Sequence, residues 1–343
     1  MEKRGQTAPI SVAPMMDRTD RYYRVMMREI TRRTLLYTEM IPVTALLNGD
    51  QEHLIGFEDI ERPMSLQLGG SDPAGLAACA KLAELRGYDE VNINVGCPSD
   101  RVQSGRFGAC LMREPELVAA SVSAMRDAVD IPVTVKHRIG VDDLDRYEDM
   151  AHFVEVVAAA GADRFTVHAR KAWLKGLSPK QNRTVPPIRY DDVYRLKDEF
   201  PHLDIEINGH IKTLDEIRTH LERVDAVMIG RAAWDRPFLF STVDQELFGD
   251  DTPVPTRDEV VAAMSERMKR GVAAGIPQSH FLRPLLNLFN GVPGARRWKQ
   301  TISQRGYGRS ATPHVLDEAL AAIQEVWDRS AHRLDDHAAF RSR

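Results

Sequence analysis

The sequence predicts a parallel (β/α)8 TIM barrel followed by a small all-helical C-terminal domain. Three observations carry that reading. Eight short apolar runs recur over the first two-thirds of the 343 residues, amphipathic helical patterns follow them, and the strand-like rhythm stops near Phe248. Strands alternating with helices imply a parallel α/β sheet. Eight such units in about 250 residues imply closure into a barrel.

The runs are ISVAPM (10–15), LLYTEM (35–40), MSLQLGG (64–70), EVNINVGC (90–97), IPVTVKHR (131–138), DRFTVHAR (163–170), DIEINGHI (204–211) and DAVMIGRA (225–232). They are short and rich in β-branched residues, as strands buried on both faces should be. Segments 73–86, 114–129, 146–160, 191–199 and 213–222 read as the helices between them. A doubly wound open sheet is the structural alternative, weakened in its dinucleotide-binding form because no GxGxxG follows the first run. Residues 249–255, GDDTPVP, read as a linker. Thr256 with Glu259 three residues on is a capping-box signature and opens a helix. Only helical periodicity follows to about residue 331, with breaks at Pro277, Pro284 and Pro293, and residues 331–343 read as a frayed tail. The expected domains are therefore 1–248, the barrel, and 249–343, the helical domain.

Composition bounds the function. With 43% hydrophobic and 28% charged residues, the chain is that of an ordinary globular protein. It has no apolar run of transmembrane length, and MEKRGQTAPI at the N-terminus lacks the apolar core of a secretory signal. Three cysteines, Cys79, Cys97 and Cys110, form no CxxC pair, which argues against a disulfide framework and structural zinc. A cytoplasmic setting follows as the expectation. The net charge of −4 hides an asymmetry: residues 267–316 hold nine Lys/Arg and 164–190 hold seven, and neither stretch has an Asp or Glu. One such stretch is ordinarily a solvated face. Two on an acidic chain suggest a polyanion bound at one place.

In a barrel of this kind the active site is built at the carboxyl ends of the strands. Those ends carry Pro14, Met15 and Met16, then Gln67, then Asn92, Asn94 and Cys97. Lys136 and Arg138, His168 and Arg170, Asn208 to His210, and Gly230 with Arg231 follow. Burying such groups without partners costs about 1–3 kcal/mol each, so a polar ligand is expected among them. The last two ends suit a phosphate, because glycines let backbone amides approach and arginine clamps the oxygens; the plain alternative is tight turns. Lys136 is either a Schiff-base nucleophile or a cation facing an anionic ligand such as a reduced flavin. Gln67 offers both a donor and an acceptor to the edge of a pyrimidine-like ring. His137 neighbours Lys136, so strand alternation turns it away from His168 and His210, and no metal site is expected. Cys97 ends the fourth run at the barrel mouth, where an inert core thiol is out of place, whereas Cys79 and Cys110 read as buried small side chains. SGRFG (104–108) beyond it supplies two glycines for a mobile loop.

The segments APMMDRTD, NINVGCPS, VKHR, VHAR, NGHI and IGRA closely resemble the tRNA-dihydrouridine synthases, over about residues 8–330. RKAWLKGLSPKQNR (170–183) and NGVPGARRW (290–298) resemble the A subfamily in particular. The resemblance implies reduction of the C5=C6 bond of uridines 20 and 20a in the tRNA D-loop, with FMN as cofactor and NADPH as reductant. It implies that Pro14, Met15, Met16, Gln67, Lys136, His168, Asn208, Gly209, His210, Gly230 and Arg231 hold FMN. Cys97 is the implied general acid, and Asn94, Lys180, Arg183, Arg296 and Lys299 the implied tRNA contacts, with Arg297 as the alternative to Arg296. The partner is then tRNA at its D-loop and elbow, with no obligate protein partner evident. The chemistry agrees: hydride added at C6 leaves charge towards O4, and C5 needs a proton from the face opposite the flavin, which a protonated thiol supplies. The rival is a small-molecule flavin oxidoreductase of the dihydropyrimidine or dihydroorotate dehydrogenase type, but a free pyrimidine needs no basic helical domain. A second rival is a barrel that binds RNA without catalysis.

Overall fold

The computed structural model describes residues 8–308 and 311–341, with side chains as far as residue 329. Eight strands form the barrel: β1 (Ile10–Val12), β2 (Leu35–Tyr37), β3 (Met64–Gly69), β4 (Glu90–Val95), β5 (Val133–Arg138), β6 (Arg164–His168), β7 (Ile205–Asn208) and β8 (Ala226–Ile229). Each pairs in parallel with the next. Parallel pairing of β1 with β8, Ser11 opposite Met228, closes the ring. This is the (β/α)8 barrel the alternation of runs predicted. A two-residue strand, Ile41–Pro42, adds to the end of β3.

The covering helices fall within two residues of their expected places: Pro73–Leu85, Pro115–Ala128, Tyr147–Ala159, Tyr190–Glu199 and Leu214–Leu221. Their starts are chemically marked. Asp72 accepts the Gly75 backbone N–H, and Thr213 and Glu216 form a reciprocal capping box.

The strands bury both faces: the outer one is apolar, and the inner one is polar along β4–β7 but apolar beside β1, β2 and β8, where Ala13, Leu35 and Met228 cluster. Val91, Ile93, Val95, Val133, Val135, Phe165, Val167, Ile205 and Ile207 are fully buried, and the positions alternating with them are polar. At the amino end of the strands, Glu90 pairs with Arg164 and accepts hydrogen bonds from Tyr37 (2.6 Å), Ser65 (2.8 Å) and Thr134 (2.9 Å). Glu206 accepts from Ser11 at 2.6 Å and lies 3.9 Å from Arg164 Nε. Burial and the neighbouring Glu90 carboxylate hold the Tyr37 hydroxyl well above its usual range, so it remains a donor. The interior floor is thus a polar network in which the buried charges are paired and hydrogen-bonded.

The chain forms two compact units. Residues up to Arg21 with Arg33–Arg231 make the barrel unit; Tyr22–Arg32 with Ala232 onward make the second. The division expected at 248/249 falls inside the second unit. Its helices include Arg257–Ala273, Gln278–Leu285, Ala295–Arg305 and Val315–Arg341. Thr256 and Glu259 form the expected capping box, with Thr256 N donating to Glu259 Oε2 at 2.7 Å. Trp298, Phe289, Met264, Leu282 and Ile302 are fully buried. Pro284 lies inside Gln278–Leu285 rather than breaking it, one residue before the helix ends. The segment Tyr22–Arg32 packs within this unit: the Tyr22 ring meets Phe281 edge-on at 4.9 Å, and the Thr31 hydroxyl donates to Asp244 at 2.6 Å. The expected frayed tail, 331–343, has side chains outside the described residues, and the backbone is helical to Arg341. No helix among the described residues is long and apolar enough to cross a membrane.

Candidate active site at the barrel mouth

Cys97 sits in a turn that β4 launches and β5 braces. The Asn94 side-chain oxygen accepts the backbone N–H of Gly96 at 3.1 Å and of Cys97 at 3.0 Å. The Asn94 amide donates to Gln67 Oε1 at 2.8 Å, and the Gln67 amide donates to Asn92 Oδ1 at 2.8 Å. Asn92 in turn donates to the Thr134 hydroxyl at 2.8 Å. These carboxamides line one side of the interior, and Gln67 is 1% exposed. The Cys97 thiol is half-buried, with the Ser99 hydroxyl 3.5 Å away. Its carbonyl accepts the Ala109 N–H at 2.9 Å. Gly108 allows this return: its φ is +78°, and a Cβ there would stand 2.5 Å from the Cys97 carbonyl oxygen. Cys79 is buried, and burial pushes its thiol up to about 11; burial also raises Cys110.

Beside this turn lies a cluster of cations. Lys136, Arg138, Arg170, Arg183 and Arg231 form no pair with a carboxylate among the described residues. The Lys136 ammonium donates to Asn208 Oδ1 at 3.2 Å. Burial, aided by the Arg138 charge, brings Lys136 down to about 8. Burial and the charges of Arg138, Lys136, Arg170 and Arg231 hold His168 well below its usual range, so its ring is neutral at pH 7. His137 faces the other way, its ring 5.1 Å from Phe153 in a covering helix, and burial brings it down to about 4. A concentration of unpaired positive charge around a buried lysine calls for an anionic ligand.

The β7 and β8 ends provide room for one. Asn208 is fixed by donating to Met228 O at 2.8 Å, and Gly209 at φ +134° brings its carbonyl to the Tyr190 hydroxyl, which donates at 2.5 Å. His210 is exposed at φ +59°. A Cβ on Gly230 would meet only Ala13, at 3.9 Å, so the space beside Arg231 is open. After β1, the Thr19 hydroxyl accepts the Met15 N–H at 3.0 Å and fixes the Pro14–Met16 turn, leaving Met16 exposed. Every residue expected around the flavin thus lies at the carboxyl ends of the strands, and the donors and cations present fit an anionic, ring-shaped group.

The loop after β6 carries Lys180 and Arg183, both exposed. Arg296 and Lys299 belong to the second unit, on Ala295–Arg305, where Arg296 and Arg297 are exposed and the intervening Trp298 is fully buried. None of Arg296, Arg297 and Lys299 pairs with a carboxylate among the described residues.

Two organising residues carried no role in the sequence reading. The Arg138 guanidinium donates to Gly96 O (2.8 Å), Lys171 O (3.1 Å) and Asn182 O (3.1 Å). Asn182, fully buried, holds Trp173 by accepting its N–H at 2.8 Å and donating to its carbonyl at 2.9 Å. Arg138 was visible as a polar strand end; nothing in the pattern around Asn182 marks it.

The dihydrouridine synthase (Dus) family pattern matches residues 11–324. A tRNA-dihydrouridine(20/20a) synthase of Synechocystis is 57% identical over 314 residues, 92% of this chain and 94% of its own length. One of Vibrio parahaemolyticus is 52% identical over 315 residues, 92% of this chain and 96% of its own. Among solved structures, morphinone reductase superposes with a TM-score of 0.50 at 12% identity, covering 74% of this chain and 88% of its own, a likeness of fold alone.

Proposed function

The chain belongs to the dihydrouridine synthase family, and from that premise we propose that it reduces the C5=C6 bond of uridines 20 and 20a in the tRNA D-loop. Curated relatives with that activity in their names match across nine-tenths of the chain. The observation that carries the reading is the Cys97 thiol, fixed on the carboxyl-end rim of a barrel whose mouth holds five cations that pair with no carboxylate among the described residues.

The cofactor is FMN, reduced by NADPH; when bound, it supplies a hydride to C6 of the uracil. Lys136 holds the electron-rich pyrimidine edge of the ring, and Gln67 is placed to hydrogen-bond that edge through its remaining lone pair and amide hydrogen. Arg231, Gly230, Gly209, His210 and Asn208 form the phosphate end, with neutral His168 as a donor that adds no charge. Pro14, Met15 and Met16 close the β1 side. Cys97, its backbone N–H held by Asn94, delivers its proton to C5. Lys180 and Arg183 contact the RNA near the extruded base, and Arg296 and Lys299 grip the backbone elsewhere. Extrusion costs a few kcal/mol, offset by those phosphate contacts. The reaction belongs in the cytoplasm, where tRNA is the polyanion that two basic stretches suit.

The test has two parts. Purified protein shows a flavin spectrum, releases FMN rather than FAD on denaturation, and retains it less well as Arg231→Ala. With NADPH it forms dihydrouridine at positions 20 and 20a of unmodified tRNA and leaves free uridine and uracil untouched. A colourless protein that FMN cannot activate overturns the reading, and reduction of free pyrimidine in preference to tRNA assigns it to the small-molecule class.

A further inference from the structure

We propose that Trp173 is a stacking platform for a second nucleobase of the tRNA, the one next to the uracil under reduction. The inference rests on tRNA being the substrate. Trp173 is 39% exposed, whereas Trp298 is fully buried. Leaving an indole in water forfeits the burial that usually holds such a side chain, yet this one is rigidly presented. Asn182 clamps both its backbone N–H and its carbonyl. Leu174 N donates to Asp142 Oδ1 at 2.8 Å, pinning the next residue as well.

The Lys171 ammonium lies 4.1 Å from the indole centroid, held there by Asp145 at 2.6 Å. No other ring or cation contacts the indole among the described residues, so one aromatic face is supported and the ring remains open to a partner. Lys175, Lys180 and Arg183 on the same loop are exposed and pair with no carboxylate among the described residues. An exposed, fixed aromatic ring among phosphate-binding cations is the arrangement by which single-stranded nucleic acid is held without base-edge readout.

Proximity to the chemistry is built in by two side chains. Gln103 Nε2 donates to both Pro98 O and Leu174 O, each at 2.9 Å. Arg138 donates to both Gly96 O and Lys171 O. The two residues flanking Cys97 are therefore each bridged by one side chain to the Trp173 segment, Pro98 to Leu174 and Gly96 to Lys171. A nucleotide extruded towards Cys97 leaves its neighbour unstacked, and the indole replaces the lost stacking partner.

The experiment uses the flavin-loaded full chain and unmodified tRNA. Stacking on one aromatic side chain corresponds to about 5- to 150-fold in affinity. Trp173→Ala and Trp173→Leu raise the tRNA Kd within that range, while Trp173→Phe and Trp173→Tyr stay within a few-fold of the parent. Binding of tRNA quenches tryptophan fluorescence in the parent, and the quench is lost in Trp173→Phe. Flavin reduction by NADPH without tRNA is unchanged in all four. A Trp173→Leu chain that binds as well as the parent, a Trp173→Phe chain as weak as Trp173→Ala, or a quench that survives in Trp173→Phe overturns the proposal. Should the parent form no dihydrouridine in tRNA, the functional reading itself fails; normal product with an indifferent Trp173 sinks only this inference.

Discussion

The backbone nitrogen of Cys97 donates to the side-chain oxygen of Asn94 at 3.0 Å. Asn94 is 9% exposed, and its amide also donates to Gln67. That bond makes Asn94 a positioning residue for the thiol, whatever it also offers to RNA. Misplacing a reacting group by about 1 Å can cost 10²-fold. Asn94→Ala therefore slows single-turnover uridine reduction by roughly 10- to 100-fold, with a smaller change in tRNA Kd. A large rise in Kd with an intact rate would make RNA contact its main task.

Cys97→Ala removes only the proton. The variant retains flavin and is reduced by NADPH at the parent rate, but reduces uridine about 10² to 10⁴-fold more slowly. Rapid mixing of the reduced enzyme with tRNA measures this. Combined with Asn94→Ala, the loss is much less than the product of the two, since both act on one proton transfer.

Lys136 couples stability to binding. Its folded value of about 8 lies below the ordinary 10.5 of the unfolded chain. Protons therefore favour the unfolded state: the penalty is complete below about pH 8 and fades as pH rises from 8 past 10.5. The displacement bounds it at roughly 3 kcal/mol, less after solvent screening. Flavin-free Lys136→Met has a higher urea midpoint than the parent at pH 7 and a similar one at pH 10.5. Flavin retention by the parent weakens as pH rises through 8, and the variant retains flavin poorly at every pH.

Arg296 and Lys299 are three apart on one helix, hence on neighbouring positions of its surface. Replacing both by Ala raises the tRNA Kd and lowers the slope of log Kd against log salt concentration by up to about two. NADPH-driven flavin reduction stays at the parent rate. Titrations at several salt concentrations check this, and an unchanged slope returns both charges to the solvated surface.

Much of the barrel was legible because its signals are local. Alternation of runs gave the eight strands, Thr256 with Glu259 gave a helix start, and the strand-end rule pointed at Cys97, Lys136 and Arg231. What was not legible depends on partners distant in sequence. Glu90, Arg164 and Glu206 meet in the barrel floor from three separate strands, so runs read as buried on both faces gave no warning of a polar interior. The acid-free stretches are also less basic in space than in sequence. Arg267 pairs with Glu29, Arg305 with Glu318, and Lys171 and Arg189 both with Asp145. Gln103 and Asn182 act on backbone groups of distant segments from single turns of helix, Asp100–Ser104 and Gln181–Arg183, too short for any periodicity to reveal them.

The segment Tyr22–Arg32 bears on how such enzymes can be recombined. It lies between the first two strands of the barrel, yet its partners include Trp234, Asp244, Arg267 and Phe281. A crossover at residue 231 that grafts another relative's C-terminal helices onto this chain would set Tyr22, Glu29 and Thr31 against foreign partners. Functional hybrids will require two coordinated exchanges, residues 22–32 together with everything from Ala232 onward. Drift in either piece must be answered by the other, so the two travel as a single unit of inheritance despite the two hundred residues that separate them.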